Sequence, residues 1–354
     1  MTNTNIILDN NTKILDPLAE AKNINPPFAI KLKLSHHSPT QCLMPDGPFI
    51  YRYVICDQTT RRLFEGNSQM AAGVAVNNAL QWHYADILWK LSPANKLTPT
   101  NHIKLKKDFA IKAAMEEFKQ YKPVNDKDQA KKDHYLETLP VTIENAFQAI
   151  GKLAKVEPVT CENFVTIPGD SLSLSLAIIG RSDFEFGNFG FKSLAAGSEK
   201  SSPSAAGSFL LELKTSWSRP GKAKKDGSLS FASSKAPTLA SQNHLIQVAF
   251  YAAAYDFKIA VKLLYVTEQD TALFDSSNCE WLTVEGLKKN FKYILNVAKR
   301  RERMFARYQD LPVDEIKKSL IADVDPQFDH PFYWNIGREF KEQAKELWNV
   351  WIQN

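Results

Sequence analysis

The sequence predicts an α/β fold, with a central mixed sheet flanked by helices, an N-terminal helical layer and a C-terminal helical extension. Three observations lead there. Apolar residues recur at helical spacing through much of residues 70 to 154, and apolar or alternating runs crowd residues 159 to 215 and 260 to 267. Helical periodicity then returns from residue 287 to the end.

Taken in order, residues 1 to 30 are rich in Asn, Asp and Pro without periodicity and are expected to form a poorly ordered arm. From 70 to 91, Val74, Val76, Leu80, Ile87 and Leu88, with Trp82 and Trp89, predict a helix whose first turn packs tightly at Ala71-Ala72-Gly73. Further helices are expected over 104 to 120 and 142 to 154, separated by a polar linker at 122 to 133. Residues 159 to 167, 171 to 179, 183 to 186 and 208 to 215 read as strands, the second from its Ser-Leu-Ser-Leu-Ser-Leu alternation. Two Ser-, Gly- and Lys-rich stretches, 192 to 207 and 216 to 235, read as loops inserted in the sheet. A helix over 238 to 256, a buried strand over 260 to 267 and helices over 287 to 308 and 332 to 352 complete the chain. The predicted division is an arm (1 to 30), a core (31 to 270) and a helical extension packed on it (271 to 354).

With 354 residues, 44% of them hydrophobic and 23% charged, the chain can bury a substantial core. Its first residues lack a basic stretch followed by an apolar one, and no apolar run is long enough to cross a bilayer. A cytoplasmic protein without membrane partners is therefore expected. Cys42, Cys56, Cys161 and Cys279 stand far apart and read as reduced thiols in or near the core, not as a zinc site, an iron–sulfur cluster or a disulfide framework. A net charge of +5 permits nucleic-acid binding without demanding it.

The chemistry concentrates in residues 180 to 251. An acid-x-Lys triplet is common by chance, and it occurs at Glu20, Glu117, Glu212, Asp256, Glu315 and Glu339. Only Glu212 stands in an apolar strand, where alternation puts Glu212 and Lys214 on one face. Alone, the pair reads first as a solvent-facing couple on a half-exposed strand. Asp183 ends the preceding strand, and pairing would bring its carboxylate beside Glu212. Two carboxylates and the carbonyl of Leu213 make an all-oxygen pocket suited to Mg²⁺ or Mn²⁺. Lys214 is then placed to orient or activate an attacking water and to stabilise charge on a phosphorane. On the following helix, His244, Gln247 and Tyr251 share one side at i, i+3 and i+7, opposite the apolar stripe.

These residues resemble the PD-(D/E)XK nuclease superfamily, in its branch of RecB-type and phage-type exonucleases. The matching motifs are Gly180-Arg-Ser-Asp183, Glu212-Leu-Lys214 and Gln247-Val-Ala-Phe-Tyr251. Upstream, Ala72-Gly73-Val-Ala-Val-Asn77-Asn-Ala-Leu80 looks like the family's helical Gly-x-x-x-His motif, and residues 34 to 53 look like its N-terminal opening, so the likeness spans about residues 34 to 267. Asn77 stands where many relatives have a metal-binding His, and its amide oxygen remains a candidate ligand. The four-cysteine iron–sulfur signature of some relatives is absent.

The resemblance implies a restriction-endonuclease-like core and a Mg²⁺-dependent deoxyribonuclease, expected to act as an exonuclease in recombination, repair or replication. The alternatives are an endonuclease of the same chemistry in a defence or transposition complex, and a non-catalytic DNA-binding scaffold. Asp183, Glu212, Lys214, Gln247 and Tyr251 are the implied catalytic set, with Asp183, Glu212, Leu213 and Asn77 around the metal. Arg219, Lys222, Lys224, Lys225, His244, Arg300 and Arg301 are candidate contacts to DNA, bound without sequence preference, and Trp217 is a candidate for base stacking. Protein partners and homo-oligomerisation are left open.

Overall fold

Apolar residues fill both faces of Phe209–Thr215 at its start, so this strand has to lie between two layers of side chains. In the computed structural model, which describes residues 26–56, 67–91, 97–153, 159–187, 207–223, 229–330, 334 and 338–353, it does so. The strands in chain order are β1 (Ile87–Leu91), β2 (Leu97–Asn101), β3 (Val159–Ile167), β4 (Ile178–Phe186), β5 (Phe209–Thr215), β6 (Arg219–Ala223), β7 (Leu229–Ala232), β8 (Ala260–Val266) and β9 (Thr271–Phe274). Seven of them form one mixed sheet in the order β2-β1-β3-β4-β5-β8-β9, while β6 and β7 form a separate hairpin. The β1/β3 and β5/β8 pairs are parallel, and the other neighbours in the sheet are antiparallel.

Three short helices open the described chain: α1 (Pro27–Leu32), α2 (Pro39–Cys42) and α3 (Asp46–Ile50). One face of the sheet is covered by α4 (Ser68–Tyr84), α5 (Lys107–Gln120) and α6 (Asp126–Leu153). The other is covered by α7 (Gln242–Ala254) and α8 (Val284–Arg307), and α9 (Val313–Asp323) and α10 (Arg338–Gln353) follow. Phe209, Leu211 and Leu213 pack with Leu264 and Val266 in the first layer, whereas Leu210, Val261 and Leu263 pack in the second. Glu212 and Lys214 share the register of Leu210, so both are directed toward α7.

Several sequence expectations change. The helix predicted over 70 to 91 ends at Tyr84, and Ile87–Leu91 is instead β1, where Ile, Leu and Trp fit a pleated surface better than another helical turn. The linker expected at 122 to 133 is mostly helix: α6 starts at Asp126, with Asn125 Oδ1 accepting from Asp128 N–H and acids in its first turn, and it continues through Pro140. The Ser-Leu alternation is not a strand. Asp170–Leu172 is a 3₁₀ turn, Ser173 is left-handed at φ 56, and β4 begins only at Ile178.

The loop expected at 216 to 235 contains the β6–β7 hairpin, while the 192 to 207 insertion lies outside the described residues except for Gly207. The helix predicted from 238 begins at Gln242. Within the supposed N-terminal arm, α1 buries Phe28, Ala29 and Leu32, and residues 1 to 25 lie outside the described residues. Beyond residue 270, β9 pairs with β8 and α8 packs in the layer over the sheet. Cys42, Cys56 and Cys161 are buried. Among the described residues no helix is long and apolar enough to cross a membrane.

Candidate active site

The site lies where β4 and β5 part. Their ladder joins Phe184, Glu185 and Phe186 to Leu211, Leu210 and Phe209 and then stops. Beyond it, the Leu213 N–H that the ladder would have used donates instead to Asp183 Oδ2 at 2.8 Å. A strand residue directs its N–H and C=O to the same edge, so the Leu213 carbonyl also points into this notch and away from β8. Asp183 is thereby tied to the strand that carries Glu212 and Lys214.

A second irregularity crosses β3 and β4 at the same level. Val159 and Cys161 pack with the α4–α6 layer, yet Val165 and Ile167, of the same parity, pack with α7 and α8. In β4, Ile178 packs with the second layer and Phe184 and Phe186 with the first. The exchange falls at Glu162, left-handed at φ 55 and opposite Asp183 where the ladder skips a pair. Such a conformation costs a non-glycine residue roughly 1–2 kcal/mol. It brings the carboxylate of Glu162 to the α4 side.

Two glycines let the helices close on the site. A Cβ at Gly180 would stand 2.5 Å from the Phe250 ring and 3.1 Å from that of Tyr251, so glycine is what lets α7 lie against β4. A Cβ at Gly73 would meet Thr215 Oγ1 at 2.9 Å, where α4 passes the end of β5.

On the α7 side, Lys214 Nζ donates to Glu212 Oε1 at 2.6 Å and to Gln247 Oε1 at 3.1 Å. Gln247 Nε2 donates to Glu212 Oε1 at 2.8 Å and to the Tyr251 hydroxyl at 3.0 Å. The Tyr251 hydroxyl donates in turn to the Arg181 carbonyl at 2.7 Å, which closes a ring from β5 through α7 to β4. Gln247 and Tyr251 are thereby brought together with Glu212 and Lys214. His244 leaves this ring: its Nδ1 contacts the Tyr265 hydroxyl at 2.7 Å, and burial, then the nearby Lys214 charge, pull its pKa down to about 4.

On the α4 side stands a residue the sequence reading missed. Glu162 Oε1 accepts from Asn77 Nδ2 and Gln81 Nε2, each at 2.9 Å, and Glu162 Oε2 forms an ion pair with Arg181 Nε. One signal was available: Asn77 and Gln81 are polar residues at i and i+4 among the apolar Ala75, Val76, Ala79 and Leu80, and therefore face a common polar partner. Nothing local pointed to Glu162 as that partner.

The electrostatics are unbalanced. Among the described residues of this cluster, Glu162, Asp183 and Glu212 are opposed by Arg181 and Lys214. Burial, then the charge of Asp183, push Glu212 up to about 8 against the pull of Lys214. Asp183 is also raised by burial, with Lys214 and the Leu213 N–H opposing, and Glu162 is raised by burial despite Arg181. Burial pulls the Lys214 ammonium down, but Glu212 and Asp183 overcome it and hold it above its ordinary range. At this site the buried Glu212 Oε2 and Asn77 Oδ1 have no hydrogen-bond partner among the described residues.

Surplus negative charge and orphaned oxygens are what a hard divalent cation relieves, so Asp183, Glu212 and the Leu213 carbonyl fit Mg²⁺ or Mn²⁺. The Asn77 amide nitrogen is committed to Glu162, and its oxygen is left unbonded among the described residues. Among the described residues no three His, Cys, Asp or Glu form a ready metal cage. An ion here would keep much of its water shell, as Mg²⁺ commonly does.

The expected DNA contacts divide. Arg219 is exposed on β6, and Arg300 is exposed and paired with Asp46 at 2.8 Å. Lys224 and Lys225 lie outside the described residues, and so does the side chain of Lys222. Arg301 is corrected. Its side chain is 0% exposed, its Nε donates to Asp46 at 2.9 Å, its terminal nitrogens donate to the carbonyls of Gln41 and Met44, and it stacks on Phe49. The helical spacing from Ile294 and Val297 places residue 301 on the buried face of α8, out of reach of a phosphate. Trp217 is also buried, with its ring against Tyr135 and its Nε1 donating to Thr215, and it packs rather than stacks on a base.

No family model and no curated protein matches the chain. It is similar to the crystal structure of a protein called SSO0001 at 15% identity, over 53% of this chain and 86% of that one, with a TM-score of 0.20. A likeness that slight carries no argument about fold or function.

Proposed function

We propose that the chain is a Mg²⁺- or Mn²⁺-dependent deoxyribonuclease with a restriction-endonuclease-like core, acting as an exonuclease on DNA in recombination, repair or replication. One observation carries the reading: Asp183, Glu212 and Lys214 meet at the β4–β5 notch with an excess of buried negative charge and an orphaned Glu212 oxygen. An ion pair kept only for stability would be balanced. The exonucleolytic mode and the pathway rest on the motif resemblance alone.

A bound divalent ion would polarise the scissile phosphate and acidify a water. The chain's own groups do the rest. Asp183 and Glu212 supply the charge that holds the ion, and the Leu213 carbonyl adds a neutral oxygen. Lys214, hydrogen-bonded to Glu212, is placed to orient or activate the attacking water and to stabilise charge on the phosphate. Gln247 fixes Lys214 against Glu212, and Tyr251 fixes Gln247 against β4. Arg219 and Arg300 offer exposed phosphate contacts that position DNA without reading its sequence.

The test is to incubate the purified protein with end-labelled linear and covalently closed circular DNA in Mg²⁺ or EDTA. Linear DNA should be degraded only with Mg²⁺, circles should survive, and Lys214→Ala should cleave about 10²–10³-fold more slowly. Cut circles would assign the same chemistry an endonucleolytic mode. If no DNA form is degraded, or Lys214→Ala keeps wild-type activity, the nuclease reading is wrong.

A further inference from the structure

Phosphodiester chemistry is often served by two divalent ions, and a third carboxylate beside Asp183 and Glu212 invites a second one. Glu162 is that carboxylate, but its oxygens are taken: Oε1 by the amides of Asn77 and Gln81, Oε2 by the guanidinium of Arg181. We propose that Arg181 is the built-in second cation of this site, holding a non-bridging oxygen of the substrate phosphate beside a single divalent ion.

Three observations carry it. The first is placement: Arg181 lies on β4 two residues before Asp183, its carbonyl is pinned by the Tyr251 hydroxyl, and its guanidinium sits 5.9 Å from the Phe164 ring centroid. The second is spare donor capacity. The ion pair with Glu162 runs through Nε, and among the described residues the two terminal nitrogens meet no acceptor. The side chain is 55% exposed, so these donors can meet a phosphate with the planar fork that suits bidentate contact. The third is charge. With all three acids ionised, as a bound cation would hold them, Glu162, Asp183 and Glu212 against Arg181 and Lys214 leave one negative charge, which one divalent ion turns into one positive charge. A single phosphodiester neutralises that, whereas two divalent ions would leave the centre strongly positive.

This inference rests on the nuclease reading for its substrate, but its test reads cation count separately from cleavage. Wild-type protein, Arg181→Gln and Glu162→Gln would be titrated with Mn²⁺, with bound ion counted by electron paramagnetic resonance and heat of binding, and cleavage of linear DNA measured in parallel. The wild type should bind one Mn²⁺ per chain. Arg181→Gln, with Glu162 released, should bind a second, and its kcat/KM should fall about 100-fold, the order expected on losing one charge-stabilising donor. Glu162→Gln should still bind one, because Glu162 is a partner of Arg181 and not a ligand of the first ion.

Two tight ions in the wild type, with one lost in Glu162→Gln, would overturn the proposal while leaving the nuclease reading intact. One ion in the wild type and two in Arg181→Gln, with no cleavage by either, would keep the cation assignment and sink the nuclease reading. An unchanged ion count and unchanged cleavage in Arg181→Gln would also overturn the proposal. Arg181 is exposed and replaced by a polar residue, and a melting curve on each variant checks that the fold is kept.

Discussion

Two buried charge clusters divide this molecule between structure and function. At the junction of α8 with the N-terminal helices, Arg301 meets Asp46 and two carbonyls, while Glu302 meets His37 and accepts from the N–H groups of Ser175 and Leu176. Those hydrogen bonds hold Glu302 below its ordinary range although burial opposes them. At the β4–β5 notch the acids outnumber the bases, their pKa values are raised, and buried oxygens are left without partners. The difference teaches how to sort buried charge. Balanced, fully bonded charge fastens elements together, whereas unbalanced charge is reserved for something that has yet to bind.

The contrast can be broken from either side. Arg301→Ala takes the donors from the Gln41 and Met44 carbonyls, leaves Asp46 with only the exposed Arg300 and opens the α3–α8 junction, so stability measured by denaturant titration should fall by about 1–3 kcal/mol for each stranded carbonyl. Cleavage per folded molecule should not change. Lys214→Ala inverts that pattern: cleavage should fall by about 10²–10³-fold, the range for losing one transition-state donor, with the fold retained on circular dichroism.

The next effect depends on pH. Because the folded-state pKa of Glu212 is raised from 4.5 to about 8, the native chain holds a proton that the unfolded chain has released across that interval. Stability of the metal-free protein should therefore fall as pH rises from about 4.5 toward about 8, and Mg²⁺ should flatten the slope. A melting series that rises over this range would contradict the surplus-charge account.

Gly180→Ala forces a methyl against Phe250, and the overpacking should cost about 1–3 kcal/mol and reduce cleavage by shifting Gln247. The smallest effect belongs to Arg219→Ala. It should weaken binding to all DNA sequences alike and reduce the salt slope of affinity by about 1, read by fluorescence anisotropy at several salt concentrations.

How much of this was legible beforehand follows the physics of each element. β3, β5 and β8 are apolar runs bounded by turns, and they fold as read. The order of Asp183, Glu212, Lys214, Gln247 and Tyr251 located the notch because strand alternation and helix spacing are local rules. Glu162 was invisible for the opposite reason. Its role depends on one left-handed residue and on Asn77 and Gln81, more than 80 positions away. The Ser-Leu repeat misled because Leu174 and Leu176 are buried from an irregular segment after a 3₁₀ turn, and burial alone does not make a strand. Arg301 misled because a run of basic residues on α8 gives no sign of which one turns inward. Its i+4 partner Phe305 and the apolar stripe before it were the available clue.

The measurement that reaches the central claim most directly is thermal melting with and without Mn²⁺ at pH 7.5, for the wild type beside Glu212→Gln. If the notch holds its surplus charge for a cation, the metal-free variant melts above the metal-free wild type, Mn²⁺ raises only the wild type, and the rise follows the logarithm of ion concentration. A wild type indifferent to millimolar Mn²⁺, with Glu212→Gln less stable than it, would contradict the account.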